Sequence, residues 1–292
     1  PLVAGLRLNT VMPLKEGPGE ALDRLAALGK PLWVDLKGRQ LRVQGCAVPP
    51  FTEVTVSHPV RVPLPADVYF RDGRDHARLV AVKENRLILA AGPRRVIGPG
   101  ESVNIVHPDL EVEGTLTEQD LAYLEAMRER GLSRVMLSYV EQEDDVAEVH
   151  HLLPGAEVVL KIESSRGLDL VEECGDDLGQ LMAARGDLYV EVPRPHKIVG
   201  ALRQIIAADP DAMAASRIFP SLAWEPVPRC SEITDVAFLL SLGYRTFMLG
   251  DEVCLKRDTV MEALTLLEEV SSELSEYIGN TLFDNAVVHF LG

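Results

Sequence analysis

The chain has 292 residues, and its 45 acidic and 29 basic side chains give a formal net charge of −16 at pH 7. That charge argues against nucleic acid or an anionic membrane as a partner, because both require a basic surface. No apolar run reaches the length of a membrane helix, and the N-terminus lacks the residue order of a signal peptide. We therefore expect a cytoplasmic globular protein with one large domain, or one domain that carries an insertion.

The first part of the chain begins with a strand–helix–strand pattern and then changes character. The expected elements are strand Val3–Leu8, helix Glu20–Leu28 and strand Leu32–Leu36. Between residues 43 and 114, alternating segments such as VTVSHPVRVPL are separated by Pro and Gly and show almost no helical period. This pattern predicts a small β-rich inserted domain at 43–114, which divides a main domain into residues 1–42 and 115–292.

From residue 115 onward, strands and helices alternate with little interruption. The expected strands are Arg134–Ser138, Val158–Ile162, Gln180–Ala184, Ala212–Ser216 and Thr246–Leu249. The expected helices are one that opens at 117–120, and then Asp145–Leu153, Leu168–Cys174, Lys197–Ala208, Ile233–Leu242 and Thr259–Ser275. Repeated strand–helix units imply a parallel sheet, and this many units in one domain favour an α/β (β/α)8 TIM barrel over an open sheet.

The count of parallel strands is one short of a closed barrel. Seven strands are expected from the pattern, whereas closure normally takes eight. The strand-like tail Ala286–Leu291 follows the last long helix, and in a βαβ progression it would land beside the first strand. We favour the interpretation that this tail closes the barrel. The alternative is a tail that lies across the outside or is exchanged with a neighbouring subunit.

Two successive apolar segments are each followed directly by charged residues. One run leads into Lys161 and Glu163, and the next leads into Arg185 and Asp187. Catalytic groups of α/β barrels lie where such strands end. Two carboxylates with a lysine and an arginine at one rim suit a divalent metal that holds an anionic, enolate-forming substrate. No glycine-rich phosphate motif of the Rossmann or P-loop type is present.

Motifs in the same order along the chain resemble those of a known family. The matching stretches are Arg7-Leu8-Asn9, Asp35 with Lys37-Gly38 and Arg42, Asp72-Gly73, Val103-Asn104, Ser138-Tyr139-Val140, Lys161-Ile162-Glu163 with Gly167, ARGDL-x-VE-x-P at 184–193, Thr234–Ala237, and Met248-Leu249 with Glu252. They resemble the pyruvate kinase family over nearly the whole chain. The resemblance implies a phosphoenolpyruvate-binding barrel with a reduced B domain as a lid, lacking the family's first strand at the N-terminus and its C-terminal regulatory domain.

The resemblance implies a metal and a substrate site. Glu163 and Asp187 would bind Mg²⁺ or Mn²⁺, and Lys161 would stabilise the charge that develops on the substrate oxygen. Arg7 would contact the substrate phosphate, because a guanidinium fork suits phosphate geometry. The residue pattern also allows structural roles: Lys161 shares a strand face with Glu163 and could be salt-bridged to it, and Arg7 could pair with an acid such as Asp35.

The resemblance also implies how the rest of the substrate would be held. The backbone amides of Gly186 and Asp187, together with the hydroxyl of Ser216, would hold a carboxylate, and a plain strand-end serine is the alternative. Arg42 and Lys37 would line the nucleotide side under the insert. Residues with supporting roles would be Asn9, Asp35, Arg185 and Glu252. For Arg185, pairing with a neighbouring acid is preferred over direct substrate contact.

Several positions depart from the family pattern. Val11 and Leu36 replace a serine and a threonine that help hold a monovalent cation, which argues against a K⁺ site. Met12 replaces the histidine that faces the nucleotide, and Arg217 adds a charge beside Ser216. These changes weaken the expectation of a nucleotide site.

The favoured function is Mg²⁺-dependent phosphoryl transfer between phosphoenolpyruvate and ADP, which gives pyruvate and ATP. One alternative is a metal-dependent lyase, decarboxylase or aldolase acting on pyruvate, oxaloacetate or a related 2-oxo acid. Another is a non-catalytic paralogue that binds phosphoenolpyruvate or pyruvate. The expected partners are these small anions and ADP or ATP, with homo-oligomerisation left open.

Overall fold

The structure is a computed structural model that describes residues 3–12, 14–71, 73–278 and 285–289. For the last of these segments, only the backbone is described. Asp72 of the motif noted above, and Phe290 and Leu291 at the end of the expected tail strand, lie outside the described residues.

The strands and helices expected from the sequence pattern are present in the expected order, and short helices at 185–191 and 251–254 are present in addition. The strands are β1 Val3–Asn9, β2 Leu32–Leu36, β3 Val43–Gln44, β4 Glu53–Val56, β5 Val60–Arg61, β6 Ala66–Phe70, β7 Asp75–Lys83, β8 Arg86–Leu89, β9 Val103–Val106, β10 Glu111–Val112, β11 Arg134–Leu137, β12 Glu157–Ile162, β13 Gln180–Ala184, β14 Met213–Ala215, β15 Thr246–Met248 and β16 Asn285–His289. The α-helices are α1 Pro18–Ala26, α2 Glu118–Arg130, α3 Glu143–Leu152, α4 Ser165–Cys174, α5 Arg185–Glu191, α6 Ile198–Ala208, α7 Cys230–Leu242, α8 Asp251–Cys254 and α9 Arg257–Ile278.

Eight parallel strands close into a barrel in the order β1-β16-β15-β14-β13-β12-β11-β2. The tail strand β16 pairs with β1 on one side and with β15 on the other, for example Leu6 with Val288 and Phe247 with Ala286. The expected (β/α)8 fold is therefore confirmed, and the eighth strand comes from the C-terminal segment of the same chain.

Apolar side chains form two layers on the barrel wall. Outward-facing residues such as Leu137, Leu160 and Leu181 pack in the large core between the strands and the helices. Inside the barrel lies a smaller cluster that is rich in methionine, formed by Met136, Val159, Met182, Met213, Ala215 and Met248. Alternate residues of β12 and β13 thus face opposite layers, which explains why these strands read as continuous apolar runs.

The segment between β2 and α2 forms two antiparallel sheets. Six strands pair in the order β3-β4-β8-β7-β6-β9, and β5 pairs with β10. This segment has its own core, which includes Val56, Phe70 and Leu79. Arg39 connects the C-terminal end of this segment to the barrel. Its guanidinium donates to the Val112 carbonyl at 2.9 Å and to the carboxylate of Asp145 at 2.7 Å.

Local polar contacts fix the turns that lead into the helices. Thr117 and Asp120 form a capping box at the start of α2. The buried carboxylate of Asp120 also accepts from the backbone amide of Lys37 at 2.8 Å, which joins the end of β2 to this helix. None of the helices in the described ranges is long and apolar enough to cross a membrane.

Gly38, just after β2, is the position where a glycine is most clearly required. Its φ is +52°, and a Cβ there would collide with the carbonyl oxygen of Ser138. We expect Gly38→Ala to lower the free energy of unfolding by about 3 kcal/mol or more, because left-handed strain and a backbone clash add together. Gly29→Ala is the matched control, since Gly29 has φ +68° and open space around it. Urea unfolding should show a loss of only about 1 kcal/mol in that variant; equal losses in the two would contradict the clash.

Candidate active site

A cleft of about 1070 Å³ opens at the carboxyl ends of the barrel strands. Its wall contains residues that follow β1, β12, β13, β14 and β15. Of the residues expected at the site, the cleft is lined by Arg7, Asn9, Arg42, Lys161, Glu163, Arg185, Gly186, Asp187, Ser216 and Glu252. Strands that are far apart along the chain therefore bring most of the expected residues to one concave surface.

Lys161 lies at the centre of a buried ionic network. Its ammonium Nζ donates to the hydroxyl of Ser138 at 2.6 Å and to Asp35 Oδ1 at 3.1 Å, and it lies 3.5 Å from Glu163 Oε1. Burial alone would lower the pKa of Lys161, but the charges of Asp35 and Glu163 outweigh it and raise the pKa above its usual value. Lys161 is therefore a fixed cation at the cleft floor.

Asp35 joins this lysine to Arg7. Arg7 Nε donates to Asp35 Oδ2 at 2.7 Å, so the ion pair considered from the sequence is present. Burial alone would raise the pKa of Asp35, but Lys161 and Arg7 outweigh it and hold that pKa below its usual value. The Asp35 carboxylate thus orients both cations toward the cleft. The salt bridge between Lys161 and Glu163, which was considered from the sequence, is present as well.

Glu163 is buried directly after β12. Its Oε2 accepts from the backbone amide of Tyr139 at 2.9 Å. Burial raises the pKa of Glu163 to about 7, and the negative charge of Asp187 contributes to the rise, while Lys161 opposes it. The chain then turns at once into α4, because Ser164 caps that helix by accepting from the Gly167 amide at 3.1 Å.

Asp187 lies in the first turn of α5, directly after β13. Its Oδ2 accepts from Gln40 Nε2 at 2.7 Å, and its Oδ1 accepts from Asn104 Nδ2 at 3.0 Å. Gln40 follows β2 and Asn104 lies on β9, so the insert contacts this carboxylate directly. Sequence reasoning did not assign a role to either amide side chain, although the Val103-Asn104 motif was a signal.

Glu163 and Asp187 fit a divalent metal such as Mg²⁺. They are two buried carboxylates on the wall of an open cleft, and hard cations of this kind bind through one or two carboxylates and keep places for water and substrate oxygens. A cation would also offset the burial and the repulsion from Asp187 that together raise the pKa of Glu163. Among the described residues, no group of three His, Cys, Asp or Glu side chains forms an all-protein cage.

The loop after β14 is strained and is held by Arg185. Ser216 and Arg217 adopt φ values of +65° and +59°. Arg185 Nη2 donates to the Ser216 carbonyl at 2.6 Å, and Nη1 donates to Asp235 at 2.7 Å. A Cβ on Gly186 would lie 3.3 Å from Ser216 Oγ, so the start of α5 and the serine hydroxyl approach closely. Strain of this kind is often stored at functional sites.

An acid that sequence reasoning did not single out contacts Arg7. Asp251, the first residue of α8, accepts from Arg7 Nη1 at 2.8 Å through Oδ1. Its Oδ2 accepts from Asn9 Nδ2 at 2.7 Å. Glu252, the acid expected in a supporting role, is an exposed residue of the cleft wall one position later.

The two residues expected on the nucleotide side lie in different surroundings. Arg42 lines the cleft, donates to the Gly100 carbonyl at 3.1 Å and to Gln40, and has a buried Nε for which the described residues offer no acceptor. Lys37 donates to Gln119 on α2 and is not part of the cleft wall. Burial lowers the pKa of Lys37, with the Arg42 charge adding to the effect and Asp120 opposing it.

A second acidic group lies behind Asp187. Glu191, on the same face of α5, accepts from Asn104 Nδ2 at 3.1 Å, and the phenol of Tyr139 lies 2.5 Å from the same nitrogen. Burial raises the pKa of Glu191 to about 8 and raises that of the Tyr139 phenol well above its usual value. The Asn104 side chain of the insert thus donates to three side chains of the barrel, those of Tyr139, Asp187 and Glu191.

Comparison with known proteins gives a consistent result. The family model for the pyruvate kinase barrel domain matches residues 55–256. Pyruvate kinase of Borreliella burgdorferi is 22% identical over 314 aligned residues, which cover 97% of this chain and 65% of that protein. A pyruvate kinase of Agrobacterium vitis is 31% identical over 192 residues, which cover 64% of this chain and 39% of that protein.

The solved structure of pyruvate kinase from Pyrobaculum aerophilum has the same fold. It superposes with a TM-score of 0.70 at 20% identity, covering 100% of this chain and 70% of that one. The chain spans only 65% and 39% of the length of the two relatives named above. With the family model matching well over half of its residues, the chain belongs to the pyruvate kinase family.

Proposed function

We propose that the protein catalyses Mg²⁺-dependent phosphoryl transfer between phosphoenolpyruvate and ADP, giving pyruvate and ATP. The observation that carries the proposal is the joint placement of Lys161, Glu163 and Asp187 on one cleft wall. In the forward reaction, the bond between phosphorus and the enol oxygen breaks, and a new bond forms from phosphorus to a terminal oxygen of ADP. The enolate that is released takes up a proton and becomes pyruvate.

The chain's own residues bind and orient the substrate in this reaction. The Lys161 ammonium, fixed by Ser138 and Asp35, stabilises the negative charge that grows on the enol oxygen. Arg7 contacts the phosphate, and the start of α5 with Ser216 holds the carboxylate. A bound Mg²⁺ would be held by Glu163 and Asp187 and would neutralise charge on the substrate oxygens.

Gln40 and Asn104 would keep Asp187 oriented for this role. Each donates to one of its carboxylate oxygens, at 2.7 Å and 3.0 Å, so both oxygens have fixed directions. Because Asn104 belongs to the insert, a movement of the insert would change the orientation of the Asp187 carboxylate.

A second candidate function keeps the metal-enolate chemistry and omits the phosphate. It is a lyase or decarboxylase acting on a 2-oxo acid such as oxaloacetate. The contact between Arg7 and Asp251 favours it, because a carboxylate already lies against the guanidinium that would receive a phosphate.

The two candidates are separated by one assay. Pyruvate formation from phosphoenolpyruvate should require both Mg²⁺ and ADP, and a chelator should abolish it. If oxaloacetate is consumed with Mg²⁺ and without ADP, while phosphoenolpyruvate is inert, the lyase is correct. If neither substrate is turned over, both enzymatic proposals are wrong.

A further inference from the structure

Asp251 forms a bridge between two distant parts of the barrel rim. It begins α8, which a two-residue link joins to β15, and its two carboxylate oxygens accept from Arg7 and Asn9 near the end of β1. The contacts are 2.8 Å and 2.7 Å long, and they join residues 244 and 242 positions apart in the chain. The side chain of Asp251 is 29% exposed, whereas that of Arg7 is 9% exposed. Asp251 is therefore the more solvent-accessible partner in this ion pair, and both residues line the cleft.

The contact between Asp251 and Arg7 changes the net charge around a bound ligand. Asp35 already accepts from Nε of Arg7, so Asp251 is a second acid on the same guanidinium. With every acid counted as ionised, the charged groups at the cleft floor are two cations and four carboxylates, a formal excess of two negative charges; they are Arg7, Lys161, Asp35, Glu163, Asp187 and Asp251. One divalent cation would make this cluster neutral, whereas without Asp251 the same metal would leave one positive charge.

We propose that Asp251 is a specificity-determining residue that competes with the substrate's phosphoryl group for Arg7. The proposal rests on the proposed function, in which Arg7 contacts that group. A phosphoryl group that binds at Nη1 of Arg7 must displace the Asp251 carboxylate that accepts from this nitrogen. A carboxylate held by the metal and the start of α5 does not require that displacement. Asp251 thus shifts the preference of the cleft from phosphorylated 2-oxo acid derivatives toward unphosphorylated ones.

The experiment compares two ligands that differ in the phosphoryl group. Phosphoenolpyruvate and oxalate are titrated calorimetrically into the Mn²⁺-loaded full chain, as wild type, Asp251→Asn and Asp251→Ser. In both variants, phosphoenolpyruvate should bind about tenfold more tightly, equivalent to about 1.4 kcal/mol, because like-charge repulsion at Arg7 is removed. Oxalate affinity should change by less than about threefold, since oxalate does not need Arg7. Thermal unfolding establishes that each variant is folded.

Glu252→Gln is the charge-matched control. Glu252 belongs to the same helix and the same cleft wall, so its neutralisation tests whether any lost negative charge has the same effect. An equal gain in this variant would overturn the proposal. Equal gains for the two ligands, or weaker or absent phosphoenolpyruvate binding in both Asp251 variants, would also overturn it.

Failure of the proposed function would give a different experimental result from failure of the Asp251 proposal. ADP-dependent pyruvate formation is measured separately on the same preparations. If no turnover occurs but the Asp251 variants bind phosphoenolpyruvate more tightly, the competition is real and phosphoryl transfer is not the reaction. If turnover occurs and the affinity for phosphoenolpyruvate does not respond to Asp251, only the specificity proposal fails.

Discussion

Under the proposed function, replacement of Lys161 by methionine is expected to reduce phosphoryl transfer by about 10²–10³-fold, because the proposed role of Lys161 is that of a preorganised cation at the reacting oxygen. Lys161 is buried and its ammonium is fixed by contacts with Ser138, Asp35 and Glu163. No described neighbour can move its charge into the same position, since Arg7 is held by Asp35 and Asp251. Initial rates of pyruvate formation at saturating substrate would measure the loss.

The loss must be separated from misfolding. Methionine has a similar length but leaves Asp35 and Glu163 with one cation fewer, and removal of one member of a buried ionic network costs about 3–5 kcal/mol. Thermal unfolding should therefore show a lower Tm, while circular dichroism should remain that of the wild type. Lys83→Met, an exposed lysine on β7, is the control and should keep the wild-type rate. Wild-type turnover in Lys161→Met would contradict the proposed role.

Replacement of Asp187 by asparagine is expected to weaken Mn²⁺ binding by about 100-fold or more, because changes in residues that only orient a ligand already cost about 10–100-fold. Asparagine keeps the size of the side chain and can still accept from Gln40 or Asn104 through its carbonyl oxygen. The change therefore removes one charge while largely preserving the packing under the insert. Paramagnetic resonance of free Mn²⁺ would give the affinity directly.

Glu232→Gln provides a charge control for this measurement. Glu232 also lines the cleft, but its carboxylate accepts from the Ser221 hydroxyl at 2.6 Å and lies on α7. Its neutralisation should change Mn²⁺ affinity by less than about threefold, the size expected for a screened charge at a distance. If the two variants lose affinity equally, Asp187 acts through the general charge of the cleft and is not a metal ligand.

The sequence predicted the barrel and its ionic core because the relevant signals are local. The continuous apolar runs of β12 and β13 ended in charge, so the positions of Lys161, Glu163 and Asp187 followed from where buried parallel strands must end. The tail strand was recognisable from its composition. Its pairing with both β1 and β15 is the outcome that barrel geometry favoured.

Contacts made between distant parts of the chain could not be predicted in the same way. Gln40 reaches Asp187 over 147 positions, and Asn104 reaches it over 83, so neither spacing carries a periodic signal. Asp251 stands next to Glu252, and the motif drew attention to the second acid, although the first one contacts Arg7. Which of two adjacent acids faces the guanidinium depends on how α8 begins, and only the tertiary structure determines that.

We infer that the ends of β12 and β13 form one metal-dependent site for a pyruvate-like anion. The most direct test is calorimetric titration of oxalate, which resembles the enolate of pyruvate, into the full chain with Mn²⁺ and with a chelator. Under this inference, oxalate should bind when Mn²⁺ is present, a chelator should abolish binding, and Asp187→Asn should lose binding at the same Mn²⁺ concentration. Oxalate binding of equal strength with and without the metal, or no binding under either condition, would contradict it.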